Sequence, residues 1–259
     1  MLLENKTAVI YGAGAIGGAV ARAFAREGAN VFLASRTRAT VDVLADQIAA
    51  EGGAVEAAHV DASDERAVED HLDRVNARTG GIDILFDAIG MDDIQGTLIL
   101  EMPLEDLMQP VVKALRTQFL TARAAARHMV GRGSGAIMSI TVAPTPVPYH
   151  GGFGVACSAI EGLWRSLAAE LGPSGVRLVI LRSAGSPDAP GVQETFERHA
   201  AAGGTTPEQF LGEASSGTLL RRLPTLAEVA DAATIMASDR ASAMTGAFAN
   251  VTCGFWVDV

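Results

Sequence analysis

The sequence predicts an α/β fold of a single domain, in which helices cover both faces of a doubly wound parallel sheet. Short apolar runs of strand length alternate with amphipathic helical stretches along the whole chain. The chain has 259 residues, of which 49% are hydrophobic and 19% are charged, and this composition supports one large core. It has neither an internal repeat nor a linker-like segment. Repeated strand–helix units of this length place their strands in parallel.

The predicted elements follow one another in a regular order. Seven runs have the apolar content of strands, at residues 7–11, 30–34, 54–60, 82–88, 136–141, 177–181 and 248–251. Between the first two, Val20 and Phe24 share one helical face, and Arg22 points away from it. The pair Thr225 and Glu228 has the spacing of a capping box, which predicts the start of a late helix.

Residues 186–223 depart from this pattern, because they follow the sixth strand and are rich in Gly, Ala, Thr and Pro. A long insertion at the carboxyl ends of parallel strands covers a ligand more often than it forms a second domain. We therefore expect one domain over residues 1–259, with residues 186–223 as a substrate lid.

Composition and charge argue against several kinds of partner. The formal net charge is −10 and there is no basic run, which disfavours nucleic acid and anionic membranes. No apolar run reaches the ~18 residues that cross a bilayer, and residues 1–6 lack the pattern of a secretory signal. The two cysteines, Cys157 and Cys253, form neither a disulfide framework nor a metal-ligand cluster. We expect a cytoplasmic protein with a small-molecule substrate and no metal.

A glycine-rich loop follows the first predicted strand and begins the first predicted helix. Gly12, Gly14 and Gly17 fit the pattern G-x-G-x-x-G, in which glycines let the pyrophosphate of a dinucleotide approach backbone N–H groups. We assign these glycines and Ile16 to cofactor binding. The alternative is a turn that serves packing alone; the flanking strand and helix favour the cofactor.

The end of the second predicted strand indicates which dinucleotide is bound. NAD-binding folds usually have an Asp or Glu there, which binds the ribose 2′-hydroxyl. This chain instead has Ser35, Arg36 and Arg38, and no acid. Because Ser35 and Arg36 can bind a 2′-phosphate that a carboxylate would repel, the sequence predicts NADP(H) as the cofactor. The alternative is that both arginines are solvated loop charges.

These motifs resemble those of the short-chain dehydrogenase/reductase family, and further matches extend along nearly the whole chain. The matching segments are Asp61-Ala62, residues 82–85, the helical residues 160–172, Ser183-Ala184-Gly185, Ser238-Asp239, Thr245-Gly246 and Cys253-Gly254. The resemblance implies a three-layer αβα, Rossmann-like fold, with cofactor contacts at Asp61, Ala88, Gly90, Ser183 and Gly185. It also implies a homotetramer, in which the helical stretches 104–130 and 153–171 pair between subunits.

Several positions depart from the family pattern. The N-N-A-G motif corresponds to residues 87–90 and keeps only its glycine, while the helix asparagine corresponds to Ala114 and the catalytic serine to Val142. The Y-x-x-x-K pair falls on Phe153 and Cys157. In the family the tyrosine transfers the substrate proton, and the lysine lowers the pKa of that tyrosine. Phe153 exchanges no proton and Cys157 supplies no fixed cation, so the resemblance predicts a replaced mechanism.

A different register offers replacement catalytic residues. In the divergent enoyl reductases of the family, six residues separate the tyrosine from the lysine, and this spacing places His150, directly after Tyr149, at the tyrosine position. Histidine titrates near neutral pH and can act as a general acid. We expect Tyr149 or His150 to supply the proton and Thr141, beside Val142, to hydrogen-bond the substrate oxygen. The alternative is that Tyr149 and His150 cap the proline-rich loop 144–148.

Other chemically active groups are expected to have structural roles. Cys157 is interpreted as a packing residue rather than a nucleophile, and Asp87 as an acceptor of backbone N–H bonds rather than a catalytic base. The only lysines, Lys6 and Lys113, are not expected to replace the missing lysine. The other histidines are expected to be solvated and far from the site; they are His59, His71, His128 and His199.

The motifs together predict an atypical NADP(H)-dependent oxidoreductase that reduces a carbonyl or enoyl substrate by hydride transfer. Two alternatives stay open: an NADP(H)-binding pseudoenzyme or scaffold without turnover, and a non-redox isomerase or cyclase that uses the same pocket. The glycine loop predicts nucleotide binding in each case.

Overall fold

The structure is a computed structural model that describes residues 1–142 and 146–257, and these residues contain one parallel sheet of seven strands. The strands are β1 Thr7–Tyr11, β2 Asn30–Ser35, β3 Val55–His59, β4 Ile84–Asp87, β5 Gly135–Val142, β6 Val176–Ser183 and β7 Ala247–Val251. Their order in the sheet is β3-β2-β1-β4-β5-β6-β7. The winding reverses between β1 and β4, as the predicted doubly wound sheet requires.

The described residues contain eight α-helices, six of which pack on the two faces of the sheet. The eight helices are α1 Ala15–Arg26, α2 Arg38–Ala50, α3 Glu65–Thr79, α4 Leu104–Arg132, α5 Gly151–Leu171, α6 Val192–Gly203, α7 Pro207–Ser216 and α8 Leu226–Ala237. One core joins α1, α2 and α8 to the sheet, and the other joins α3, α4 and α5 to it. The predicted three-layer αβα fold is therefore confirmed. None of the helices in residues 1–142 and 146–257 is long and apolar enough to cross a membrane.

The inner strands β1 and β4 are apolar along nearly their whole length because both faces of the sheet are covered there. Along β1, Ala8 and Ile10 belong to the core with α1, whereas Val9 and Tyr11 belong to the core with α4. Tyr11, the last residue of β1, pairs with Asp87, the last residue of β4. The segments after both strands therefore leave the sheet side by side, at the position where doubly wound folds bind ligands.

One of the histidines expected to be solvated lies inside the core. The His71 side chain on α3 is only 3% exposed, and its Nδ1 atom is hydrogen-bonded to the Tyr11 hydroxyl at 2.8 Å. Burial lowers the pKa of His71 to about 4, and Arg74 contributes to the lowering. Burial, with Asp87, also raises the pKa of Tyr11. The expectation was wrong because the polar partner of His71 lies on a strand distant in sequence.

The segment expected to form a lid contains two helices. Residues 186–223 hold α6 and α7, which pack against each other after β6. The next helix, α8, starts at the predicted capping box: Glu228 N–H donates to Thr225 Oγ1 at 3.2 Å, and Thr225 N–H donates to Glu228 Oε2 at 2.9 Å. The capping box is confirmed, whereas the lid role stays a prediction.

Candidate active site

A cleft of about 1190 Å³ lies at the carboxyl ends of the strands, around the point where the winding reverses. It collects nearly all of the residues predicted to bind the cofactor. They are Gly12, Gly14, Ile16, Ser35, Arg36, Asp61, Ala88, Gly90, Ser183 and Gly185. These residues lie at or just after the ends of five strands, β1, β2, β3, β4 and β6, which the sheet brings to one edge.

The glycine loop forms one wall of this cleft. Gly12 has a φ of +104°, and a Cβ atom there would lie 2.4 Å from the Ala88 carbonyl oxygen. Gly17 lies behind the loop, where a Cβ atom would be 1.9 Å from the Gly12 carbonyl oxygen. Close backbone approach thus requires glycine at positions 12 and 17, whereas a Cβ atom on Gly14 would meet nothing within 4 Å.

The start of α1 is suited to an anion. Gly14 is the N-cap and has no side-chain capping bond, and the first turn contains no acidic residue. The first hydrogen bond of the helix runs from the Gly18 N–H to Gly14 O at 2.8 Å. The N–H groups that come before Gly18 in the helix take no part in such a bond. Since Gly14 and Ile16 line the cleft, the positive end of the helix dipole faces a site that fits a pyrophosphate.

Charged side chains line the rim near the end of β2. The Arg36 Nη2 atom lies 3.5 Å from Asp92 Oδ2, and Lys113 on α4 forms an ion pair with the same carboxylate. Asp61 Oδ1 accepts bonds from the Ser63 hydroxyl at 2.7 Å and the Ser63 N–H at 2.9 Å. These bonds hold the pKa of Asp61 below its usual value, and Arg36 and Lys113 add to the effect. Sequence analysis missed Asp92 and the position of Lys113 in the cleft wall.

Asp87 lies at the floor of the cleft and is completely buried. It accepts bonds from the Ile89 N–H at 3.1 Å and from the Thr121 hydroxyl at 2.8 Å. The expected role as an acceptor of a backbone N–H bond is confirmed. Burial raises the pKa of Asp87 to about 6, and the two hydrogen bonds oppose this shift.

The positions assigned to the family's catalytic pair face the same cleft. Phe153 and Cys157, on α5, both line it, together with Val142 at the end of β5. Cys157 is 3% exposed, and burial raises the pKa of its thiol to about 12. The thiol is therefore neutral at physiological pH, which agrees with the packing role expected for it.

The Thr141 hydroxyl belongs to a buried polar network that sequence analysis did not predict. It donates to Glu161 Oε1 at 3.2 Å. Glu161 also accepts bonds from Arg182 Nε at 2.9 Å and Arg182 Nη2 at 2.8 Å. The Arg182 guanidinium lies 3.8 Å from the centre of the Phe248 ring. Thr141 lines the cleft as expected, but its hydroxyl proton is directed towards Glu161.

Tyr149 and His150 line a second hollow of about 510 Å³ next to the cleft. The two hollows share Val142 and Cys157 in their walls. Burial and the neighbouring His199 lower the pKa of His150 to about 4. The expectation that His150 titrates near neutral pH is wrong, because the fold partly buries its ring beside His199. Of the proline-rich loop that these residues were alternatively expected to cap, Pro144 and Thr145 lie outside the described residues.

His199, which was expected to be solvated, belongs to this hollow's surroundings. It lies on α6, is 4% exposed, and its ring centre is 5.3 Å from that of His150 and 6.5 Å from that of Tyr149. The His199 Nε2–H donates to Gln95 Oε1 at 2.7 Å, and Gln95 Nε2–H donates to Asp93 Oδ2 at 2.7 Å. The expectation for His199 is therefore wrong.

A family model described as enoyl-(acyl carrier protein) reductase matches residues 12–256 of this chain. The chain belongs to the short-chain dehydrogenase/reductase family. It is 32% identical over 251 residues to the uncharacterized oxidoreductase YxbG of Bacillus subtilis, covering 94% of this chain and 88% of the relative. Members of this family are oxidoreductases whose reaction is a hydride transfer, and their fold binds a nicotinamide cofactor.

Two solved structures have the same fold as this chain. Sorbitol-6-phosphate 2-dehydrogenase SrlD from Erwinia amylovora superposes with a TM-score of 0.90 at 26% identity, covering 97% of this chain and 100% of that chain. The structure of NAD⁺-bound xylitol dehydrogenase superposes with a TM-score of 0.91 at 21% identity, covering 98% of this chain and 100% of that chain. At 21% identity, the similarity to xylitol dehydrogenase shows a shared fold and nothing more.

Proposed function

We propose that the protein is an NADP(H)-dependent oxidoreductase that reduces a carbonyl or enoyl substrate. One observation carries the cofactor assignment: Arg36 follows β2 directly and lines the cleft, where an NAD-binding fold usually has an acid. An arginine at this position can donate charge-assisted hydrogen bonds to a 2′-phosphate. Ser35 lines the cleft beside it.

The residues of the cleft fit the rest of a dinucleotide. The amide groups at the start of α1 would hold the pyrophosphate, and Gly90, Ser183 and Gly185 would border the remainder of the bound molecule. When bound, the nicotinamide ring supplies the hydride. The Phe153 and Cys157 side chains would provide an apolar wall in the same cleft.

Tyr149 and His150 are the proposed sources of the proton. Phe153 has no exchangeable proton, and the buried Cys157 thiol, with a pKa of about 12, is a poor acid near neutral pH. Because burial holds the pKa of His150 near 4, its ring is neutral at pH 7 and lacks the second proton. This favours the Tyr149 hydroxyl as the donor, with His150 beside it. Thr141, held by Glu161, can offer its oxygen to a substrate or a water molecule.

A binding protein without turnover is the second candidate function. The observation that favours it is the separation of the proposed donors from the cleft, since Tyr149 and His150 line the adjoining hollow. In that case the cleft would bind NADP(H), while Phe153 and Cys157 would leave it without a proton donor.

Two further features belong to the proposal. Residues 186–223 would act as the substrate lid, because His199 on α6 packs against the segment that holds the proposed donors. The protein would be a homotetramer, because Leu104, Phe119 and Val130 expose apolar surface along α4, one of the two helices that the family resemblance pairs between subunits. Its location in the cytoplasm stays a prediction from composition.

The cofactor assignment is tested by titrating NADPH and NADH against the protein and following nicotinamide fluorescence. We expect tighter binding of NADPH, and we expect Arg36→Ala to weaken NADPH binding about tenfold while NADH binding changes little. Arg38→Ala is the matched control, because Arg38 is paired with Asp42 on α2. Equal affinity of the wild type for both nucleotides would contradict the assignment.

A further inference from the structure

Two positively charged side chains from different elements meet at one carboxylate on the rim of the cleft. Arg36 follows β2, Asp92 lies between β4 and α4, and Lys113 is on α4. The Arg36 Nη2 atom lies 3.5 Å from Asp92 Oδ2, and Lys113 Nζ forms an ion pair with that same oxygen. A single anionic oxygen therefore bridges both cations.

The three side chains differ in how firmly the fold holds them. The Lys113 side chain is only 17% exposed, whereas those of Arg36 and Asp92 are 58% and 51% exposed. Lys113 is thus preplaced in the wall, and the Asp92 carboxylate can turn towards solvent. Both cations, Lys113 more strongly, hold the pKa of Asp92 below its usual value, so Asp92 is charged at neutral pH.

A phosphate monoester would compete well for this place. It carries about −1.5 to −2 charges near pH 7 and has three acceptor oxygens, whereas a carboxylate has one charge and two oxygens. It can therefore bind both cations more strongly than Asp92 does. Asp92 would then stand beside the phosphate without its partners and would repel it.

We propose that Asp92 is a specificity-determining residue, which competes with the 2′-phosphate of NADP(H) for Arg36 and Lys113. Lys113, on α4, is then the second phosphate ligand beside Arg36. This inference rests on the proposed NADP(H) site and adds to it a carboxylate that moderates the preference. Removal of the Asp92 charge should consequently strengthen the binding of NADPH and leave that of NADH nearly unchanged.

A different role for Asp92 predicts the opposite result. If the carboxylate accepted hydrogen bonds from the ribose hydroxyls of NAD(H), its removal would weaken NADH binding and leave the affinity for NADPH unchanged or lower. The sign of the change in affinity therefore separates the two roles.

The test compares Asp92→Asn and Lys113→Met with the wild type, by titrating NADPH and NADH at fixed ionic strength. Asn is suited to position 92, because it tolerates the left-handed backbone that Asp92 adopts at φ +56°. We expect Asp92→Asn to bind NADPH about three- to tenfold more tightly, and Lys113→Met to bind it about tenfold more weakly. The affinity of both variants for NADH should stay within about twofold of the wild type.

Matched controls remove the same charges elsewhere. Asp42→Asn removes a carboxylate from an exposed pair on α2, and Lys6→Met removes the other lysine, which is paired with Asp239. Neither should change the affinity for either nucleotide. Adenosine 2′,5′-bisphosphate carries the 2′-phosphate without the nicotinamide, and Asp92→Asn should bind it more tightly and Lys113→Met more weakly. Adenosine 5′-monophosphate lacks the 2′-phosphate, and its affinity should not change in either variant.

The outcomes separate this inference from the proposed function. Unchanged or weaker NADPH binding by Asp92→Asn, or NADH binding weakened about fivefold or more, would overturn the role of Asp92. The ratio of NADPH to NADH affinity in the wild type tests the proposed cofactor preference by itself. A wild type without preference, in which Asp92→Asn still gains affinity for NADPH, would contradict that preference and support the competition by Asp92.

Discussion

The rings of His150 and His199 lie 5.3 Å apart at an angle of 85°, and this contact joins α6 to the segment that enters α5. His199 is also hydrogen-bonded to Gln95, so three segments distant in sequence meet at this pair. His199 is buried and His150 is partly buried, and burial is the largest cause of the lowered pKa of each. The folded arrangement therefore favours the neutral form of both imidazole rings over the protonated form.

Acid should loosen the contact between α6 and the rest of the protein. An undocked histidine takes up a proton near pH 6.5, whereas docked His150 does so only near pH 4. Docking is thus fully favoured above about pH 6.5 and weakens as the pH falls towards 4. The nearby Asp93 opposes this effect by raising the pKa of His150, without reversing the shift.

Hydrogen exchange can measure this loosening. At about pH 5, amides of α6 should lose protection relative to about pH 7, after correction for intrinsic exchange, while those of α8 should not. The variant His199→Phe should show a smaller pH effect. Equal loss of protection in α6 and α8 would contradict a local effect.

The buried pair Glu161 and Arg182 should be sensitive to the loss of one partner. Glu161→Gln leaves the buried guanidinium without the Glu161 charge, and we expect a loss of about 3–5 kcal/mol in the free energy of unfolding in urea. Glu51→Gln, in the exposed pair with Arg22, should cost only about 0–1 kcal/mol. The double variant Glu161→Gln/Arg182→Met should lose less than the sum of the single variants, and additive losses would argue against a coupled pair.

The glycine loop should tolerate a methyl group at one position and not at another. A Cβ atom on Gly17 would lie 1.9 Å from the Gly12 carbonyl oxygen, whereas one on Gly14 meets nothing within 4 Å. We expect Gly17→Ala to lower the free energy of unfolding by about 1–3 kcal/mol and to weaken nucleotide binding. Gly14→Ala should cost less than about 1 kcal/mol. Similar stabilities of the two variants would contradict the close packing inferred at Gly17.

The proposed proton donors can be tested by substitution. Tyr149→Phe should lower kcat by about 10²–10⁴, the usual contribution of a positioned general acid. Phe153→Tyr should have little effect, because Cys157 supplies no cation to lower the pKa of a new phenol. Since the pKa of His150 is about 4, kcat should not decline between about pH 5 and pH 7, as it would if a protonated His150 were the donor. Unchanged kcat in both Tyr149→Phe and His150→Ala would exclude the proposed donors.

The parts of the fold that the sequence predicted have local signals. Most strands contain a run of apolar residues, and the glycine loop and the capping box at Thr225 have fixed spacings that require no knowledge of the rest of the chain. These signals were enough to predict which residues line the cleft, because the carboxyl ends of parallel strands meet at one edge of the sheet.

The parts that were missed depend on partners far apart in the chain. The bond between His199 and Gln95 joins residues separated by 104 positions, and the bond between His71 and Tyr11 spans 60. Each of these histidines on its own resembles a solvated residue of an amphipathic helix. Lys113 likewise gave no sign of the cleft, since its partner Asp92 lies before α4 begins.

The central claim, NADP(H)-dependent reduction, is tested most directly by following the absorbance of NADPH and of NADH with the wild-type protein across a panel of carbonyl and enoyl substrates. We expect oxidation of NADPH by at least one substrate, with a kcat/KM about tenfold or more above that for NADH. Binding of NADPH without oxidation by any substrate of the panel would contradict the claim and favour the binding protein without turnover.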